Sequence, residues 1–233
     1  MTNHDNENAS SINTNIENNL YLLIKFGEKS HMQNLLDNGT LFMRRLKEYR
    51  KIEHDAIGDE FEGISYSCPL SSISMSVNGK PFPLNGPGFC TTDAHPKFNP
   101  FIYCMYALTT KHLLCQEGQY IDDKCFSFGN TAVIIHDIMK FYERLKDACM
   151  RNKFNIEAKT IEYVDQELHD DKMGSFRKFD YFKYQHEWRA IINNAKKCDD
   201  TMILELELGS LKDIAYIVPV QEINQVIKFD KFN

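Results

Sequence analysis

Phe182-Lys183-Tyr184-Gln185-His186-Glu187-Trp188-Arg189-Ala190-Ile191-Ile192 alternates in character and then turns apolar, as a strand entering a core does. Side chains two apart share a strand face. Gln185, Glu187 and Arg189 are therefore expected on one face, and Tyr184, His186 and Trp188 on the other. A carboxylate between an amide and a guanidinium is costly to bury unless it is paired. The triplet is a structural ion pair, a solvated ladder or a site. His186 faces away from Glu187 and is expected to pack beside Trp188.

The rest of the chain supplies more strands than helices. Leu20–Phe26 reads as a buried strand ended by Gly27. Ser30, with Gln33 three residues on, has the capping-box pattern for a helix Met32–Asp37 that stops at Asn38-Gly39. Thr40–Met43 is a second strand, and Arg44–Lys51 is basic and either helical or extended. Residues 53–63 read as a solvated acidic loop. Two short strand pieces lie between Ile64 and Val77, then a Pro- and Gly-rich loop or hairpin over 78–100. Phe101–Leu108 is a strong strand, Lys124–Phe128 a weaker one, and Thr131–Ile135 another. Asp137–Met150 is an amphipathic helix with Ile138, Phe141, Leu145 and Cys149 on one side. Asn155–Val164, Met202–Leu208 (Glu205 and Glu207 outward) and Ile214–Val220 complete the strands. The fold class expected is α+β, one domain over 19–233. Residues 1–18 are Asn-rich and expected to form a disordered tail.

The formal charge of −6 argues against a mainly electrostatic nucleic-acid binder. Any such contact needs a local patch. The densest basic segment holds Arg44, Arg45, Lys47, Arg50 and Lys51, with Tyr49 placed to stack on a base; it is equally a solvated charged face. The seven cysteines include no C-x-x-C pair, and no His pair has ligand spacing, so no metal is expected. Asp55, Asp59, Glu60 and Glu62 lack the alternation of a calcium loop. No apolar run approaches the roughly 20 residues of a membrane span. Cytoplasm is the expected location.

Taken in order, Lys25-Phe26, a helix, Asn38-Gly39 and a strand resemble the opening of ADP-ribosyltransferase-like proteins. The strand FIYCMYAL with Tyr106 resembles their second motif strand, and Gln185-His186-Glu187 their late Gln/Glu-x-Glu motif. These features cover Leu20 to Val220, and are most similar to bacterial toxins of phage-defence toxin–antitoxin–chaperone modules. The first motif departs from the family, which usually carries His, Arg or Tyr where this chain has Lys25-Phe26.

The resemblance implies split, antiparallel-rich sheets with few short helices, and NAD as ADP-ribose donor with no metal. It also implies RNA, mRNA above all, as acceptor and a protein antitoxin as partner. Transfer from NAD passes through an oxocarbenium-like state, as glycoside cleavage does, so a carboxylate beside the ribose is useful. Glu187 takes that role, and Gln185 orients the acceptor. Lys25 is placed to hold the pyrophosphate, Phe26 and Tyr106 to pack on nicotinamide, and Gly27 to end the strand at the nucleotide. Arg189 is placed to pair with Glu187 or to touch a phosphate. Arg44, Arg45, Tyr49 and Arg50 are the RNA candidates. Protein modification, NAD hydrolysis and a degenerate, non-catalytic binding domain stay open as alternatives.

Overall fold

The computed structural model describes residues 19–52, 58–84, 86–95, 97–115, 120–193 and 203–228. The expected tail, 1–18, lies outside them. The strand Phe101–Thr109 organises the rest: it is buried along nearly its whole length, as its continuous apolar run dictates. Glu187–Ile192 covers one of its edges from Phe101 to Tyr106. Two strands share the other edge. Leu20–Gly27 takes the C-terminal half, from Leu20 opposite Thr109 to Ile24 opposite Tyr106. Thr40–Arg45 takes the N-terminal end, Arg44 opposite Ile102 and Arg45 opposite Phe101.

Between those two partners the edge is open. After Ile24 the opening strand leaves Phe101–Thr109 and continues beside Thr131–Ile135, with Lys25 opposite Val133 and Gly27 opposite Thr131. The sheet therefore splits at Tyr103–Met105. Ala215–Pro219 extends one half beyond Thr131–Ile135. Ile203–Glu207 and Ile156–Thr160 extend the other, beside Thr40–Arg45 and Glu187–Ile192. Among the described residues these eight strands form one antiparallel sheet, and with the few helices they make an α+β domain.

The helix Lys29–Asn38 carries the chain from one half to the other and buries Met32, Leu35 and Leu36. Gly39 ends it at φ 66°, its N–H on the Leu35 carbonyl, a left-handed cap that suits glycine. The expected capping box does not form. The helix starts earlier, behind Glu28, so Ser30 lies inside it, and Gln33 donates to Asp37 instead. Ile138–Arg151 is the expected amphipathic helix, capped by Asp137, with Phe141, Leu145, Ala148 and Cys149 buried. Phe141 and Tyr142 meet Trp188 edge to face, which ties the Glu187 strand to the main core.

Two expected strands are corrected. Phe182–Ile192 is extended only from Glu187; Asp180–Gln185 is a 3-10 turn, and His186 sits at φ 38° between the two. Lys124–Phe128 belongs to a second 3-10 turn, Asp123–Phe128, because the Asp122 carboxylate accepts from the Lys124 N–H and closes the chain locally. The 64–100 region forms a strand pair, Ile64–Pro69 with Phe89–Asp93, and a projecting hairpin, Ser74–Val77 with Lys80–Pro83. Asn78 and Gly79 turn that hairpin, both at positive φ.

Candidate functional site

The split in the sheet is a cleft of about 300 Å³. Across its floor the Lys25 ammonium donates to the Cys104 carbonyl, 2.7 Å away. That carbonyl lies on the stretch where the edge has lost its strand partner, and buried backbone acceptors require one. Burial holds the Lys25 pKa below the ordinary lysine value, although the Cys104 and Glu187 side chains oppose that.

The polar wall is a network of four buried charges. Arg189 is 0% exposed. Its Nε donates to Glu187 Oε1 at 2.6 Å, and its two terminal nitrogens grip Glu62 at 2.7 and 2.8 Å. Lys178 completes the network, 3.0 Å from Glu187 Oε2, 3.5 Å from Glu62 and 3.0 Å from the Gln185 amide oxygen. Burial alone would raise the Glu187 pKa, but Arg189, Lys178 and a hydrogen bond from Cys104 hold it well below the usual carboxylate range. Burial opposes the charged form of Lys178 too, and Glu187 and Glu62 outweigh it. Burial and then Glu187 push the Cys104 thiol up to about 12. Beside the network Asp59, 4% exposed, is raised to about 6 by burial and by Glu62.

The opposite wall is aromatic. Phe26 packs edge-on against Tyr106 and tilts against Phe128. Phe128 reaches it because Gly129 passes the backbone of Gly27 so closely that a Cβ would lie 2.3 Å from the Gly27 carbonyl carbon. Tyr106 is anchored by its hydroxyl on the Tyr120 carbonyl at 2.8 Å. Behind Tyr106 lie His112 and His186, with ring centroids 3.9 Å apart. Burial and then His112 lower the His186 pKa to about 4, so its ring is neutral at pH 7. The expectation that His186 packs beside Trp188 is corrected: its left-handed backbone turns the ring to Tyr106.

Lys25, Phe26, Tyr106, Gln185 and Glu187 all line this cleft, as do Arg44 and Tyr49. Gln185 arrives from the end of a turn, not along the strand. Arg189 lines it too, with its guanidinium bonded to two carboxylates and the Ser175 carbonyl, so of its two expected roles the pairing with Glu187 is the one that forms. Gly27 does not line the cleft; its backbone is covered by Gly129. The arginines of the basic segment are placed differently. Arg45 bonds the Asn99 carbonyl and lies 3.8 Å over the Phe101 ring. Arg50 bonds the Glu62 carbonyl and Asp93. Arg44 alone of the three arginines faces the cleft.

Two members of the network had no counterpart in the sequence reading. Glu62 sits in the stretch read as a solvated acidic loop, yet it and Asp59 are buried. The signal available was Phe61-Glu62-Gly63-Ile64, an acid flanked by residues able to enter a core. Lys178 lies between Arg177 and Phe179 on a three-residue strand, too short to show alternation. Among the described residues no group of His, Cys, Asp and Glu is arranged to hold a metal ion, and no helix is long and apolar enough to cross a membrane. No family model, no curated protein and no solved structure matches this chain.

Proposed function

We propose that the cleft binds NAD and that the protein is an ADP-ribosyltransferase toxin acting on RNA and restrained by a protein antitoxin. One observation carries the reading. Lys25 and Phe26 of the opening strand and Glu187 of a late strand line one cleft, at the place where the sheet splits.

The charges of Glu62, Glu187, Lys178 and Arg189 cancel, while Lys25 and Arg44 leave the cleft cationic. That balance suits a pyrophosphate better than a cationic ligand. The volume is at the low end of the roughly 300–1,000 Å³ of ligand pockets, so it suits the nicotinamide mononucleotide half, its phosphate toward Lys25 and Arg44, with the adenosine half along the open side. Phe26, Tyr106 and Phe128 offer nicotinamide an apolar wall. Nicotinamide leaves as a neutral molecule and needs no acid. Because Lys178 and Arg189 offset the Glu187 charge, that residue acts mainly by position. Each carboxylate oxygen already holds a cation, and the lone pairs left over accept a ribose hydroxyl, fixing the sugar for attack. Gln185 holds Lys178 in place and presents a neutral amide at the cleft. A neutral group there is consistent with a nucleobase acceptor rather than a guanidinium.

The experiment supplies NAD labelled on its adenylate phosphate together with total RNA and total protein, and follows free nicotinamide and the labelled fraction. The expected result is label in RNA, with E187Q lowering nicotinamide release by about 100-fold or more. Label in protein, or only in free ADP-ribose, moves the acceptor. A second reading has its own support: both Glu187 oxygens are already paired, as in a purely binding domain. NAD binding by calorimetry without nicotinamide release would favour it, and neither binding nor release would overturn both.

A further inference from the structure

Cys68 and Cys90 stand directly opposite each other on the antiparallel strands Ile64–Pro69 and Phe89–Asp93. Both thiols are free. Opposite residues of an antiparallel pair lie about 4.5–5.5 Å apart at Cα, inside the roughly 4.4–6.8 Å that a disulfide spans, and their side chains share one face. The Cys90 backbone N–H already donates to the Cys68 thiol. The other described thiols are placed differently: Cys125 and Cys149 are buried, and Cys104 sits in the cleft against Glu187.

We propose that Cys68 and Cys90 form a redox modification site, closing into a cross-strand disulfide when a low-molecular-weight disulfide reaches them. The two cysteines differ in role. Cys90 is exposed, and Cys68 half-buried. Burial, followed by the Asp170 carboxylate, keeps the Cys68 thiol above its ordinary pKa. The Cys90 thiolate therefore attacks first. It breaks the sulfur–sulfur bond of glutathione disulfide, releases one glutathione and becomes a mixed disulfide. Cys68 then loses its proton to solvent, attacks the Cys90 sulfur and expels the second glutathione. The protein pair gives up two electrons and two protons, and the glutathione disulfide takes them up as two thiols.

The site is connected to the cleft. Phe61, Phe89 and Phe179 meet edge to face, with centroids 5.2 to 5.3 Å apart. Each is the chain neighbour of a residue already named: Phe61 of Glu62, Phe89 of Cys90, Phe179 of Lys178. A bond between the strands fixes the sheet that abuts two of the four charges.

The test incubates the folded, full chain with glutathione disulfide at about pH 8, blocks free thiols by alkylation and maps the peptides by mass spectrometry. The expected product is a Cys68–Cys90 linkage that dithiothreitol reverses. C68S is expected to trap glutathione on Cys90, and C90S to slow glutathione capture at Cys68 by at least tenfold. A wild-type chain that keeps glutathione on Cys90 beside a free Cys68 overturns the proposal. So does a linkage that appears only after denaturation, because proximity in the fold would then play no part.

Discussion

Lys25 donates to the carbonyl of Cys104, 2.7 Å away, across the point where their two strands part. A bond of this kind sits between fold and function, because the same ammonium closes an open sheet edge and charges the cleft. K25M keeps most of the side chain and removes the donor. An unpartnered buried carbonyl costs about 1–3 kcal/mol, so the unfolding free energy of K25M from urea titration is expected to fall by that amount, with weaker NAD binding. Unchanged stability would mean that another donor serves Cys104.

The four-charge network predicts losses of different size for two of its members. R189M leaves Glu62 and Glu187 to share Lys178 and removes the donor to the Ser175 carbonyl, and breaking a buried pair costs about 3–5 kcal/mol. E187Q removes one charge but leaves Arg189 and Lys178 both on Glu62, and is expected to lose no more than about 2 kcal/mol. Denaturation curves of the two variants, beside NAD turnover, separate a catalytic loss from a folding loss. An E187Q chain that unfolds as readily as R189M would make the network structural first.

Much of this arrangement is legible in the sequence, and the reason is periodicity. FIYCMYAL, LYLLIKF and MILELEL carry their burial in strand-length runs, and those strands formed. The face shared by Glu187 and Arg189 followed from the same rule. What escaped notice depended on contacts far apart in the chain. Nothing in the sequence periodicity marks Glu62 or Lys178 as buried, because their partners lie on other elements. His186 broke the expected alternation by taking a left-handed backbone, which nothing in a Gln-His-Glu triplet announces. The splitting of the sheet, too, is a property of two strands sharing one edge of a third, and no single strand encodes it.

Asp59 gives the fold a pH dependence of definite sign. Its carboxyl is raised to about 6 from an ordinary value of 3.8, so between those values the folded state holds more protons than the unfolded one. Stability from this group is full below the lower value and is lost as pH rises through the upper. The penalty above pH 6 is about 3 kcal/mol at 1.36 kcal/mol per pKa unit. His186, lowered to about 4, acts in the opposite direction, costing stability as pH falls below its ordinary value. The comparison is therefore between wild type and D59N, which keeps an oxygen for the Phe61 N–H. The stability of D59N relative to wild type is expected to grow from pH 4 to pH 6.5 and then level off. A flat difference in urea titrations across that range would show that Asp59 ionises freely.

The three arginines of the basic segment are expected to separate by readout. Arg44 is exposed at the cleft and belongs to no ion pair among the described residues, so R44A should leave stability within about 0.5 kcal/mol, as surface changes do. Losing one cation beside a pyrophosphate should weaken NAD binding about tenfold, more at low salt than at high. R45A and R50A should do the reverse. Arg45 covers the Phe101 ring and holds the Asn99 carbonyl, and Arg50 ties the Glu62 carbonyl to Asp93, so each should lose about 1–3 kcal/mol. RNA binding supplies the decisive arm. If the segment contacts RNA as a patch, all three variants weaken RNA binding and lower its salt slope together. If Arg44 alone serves the cleft, only R44A affects nucleotide binding, and RNA affinity in R45A falls no further than its loss of folded protein explains.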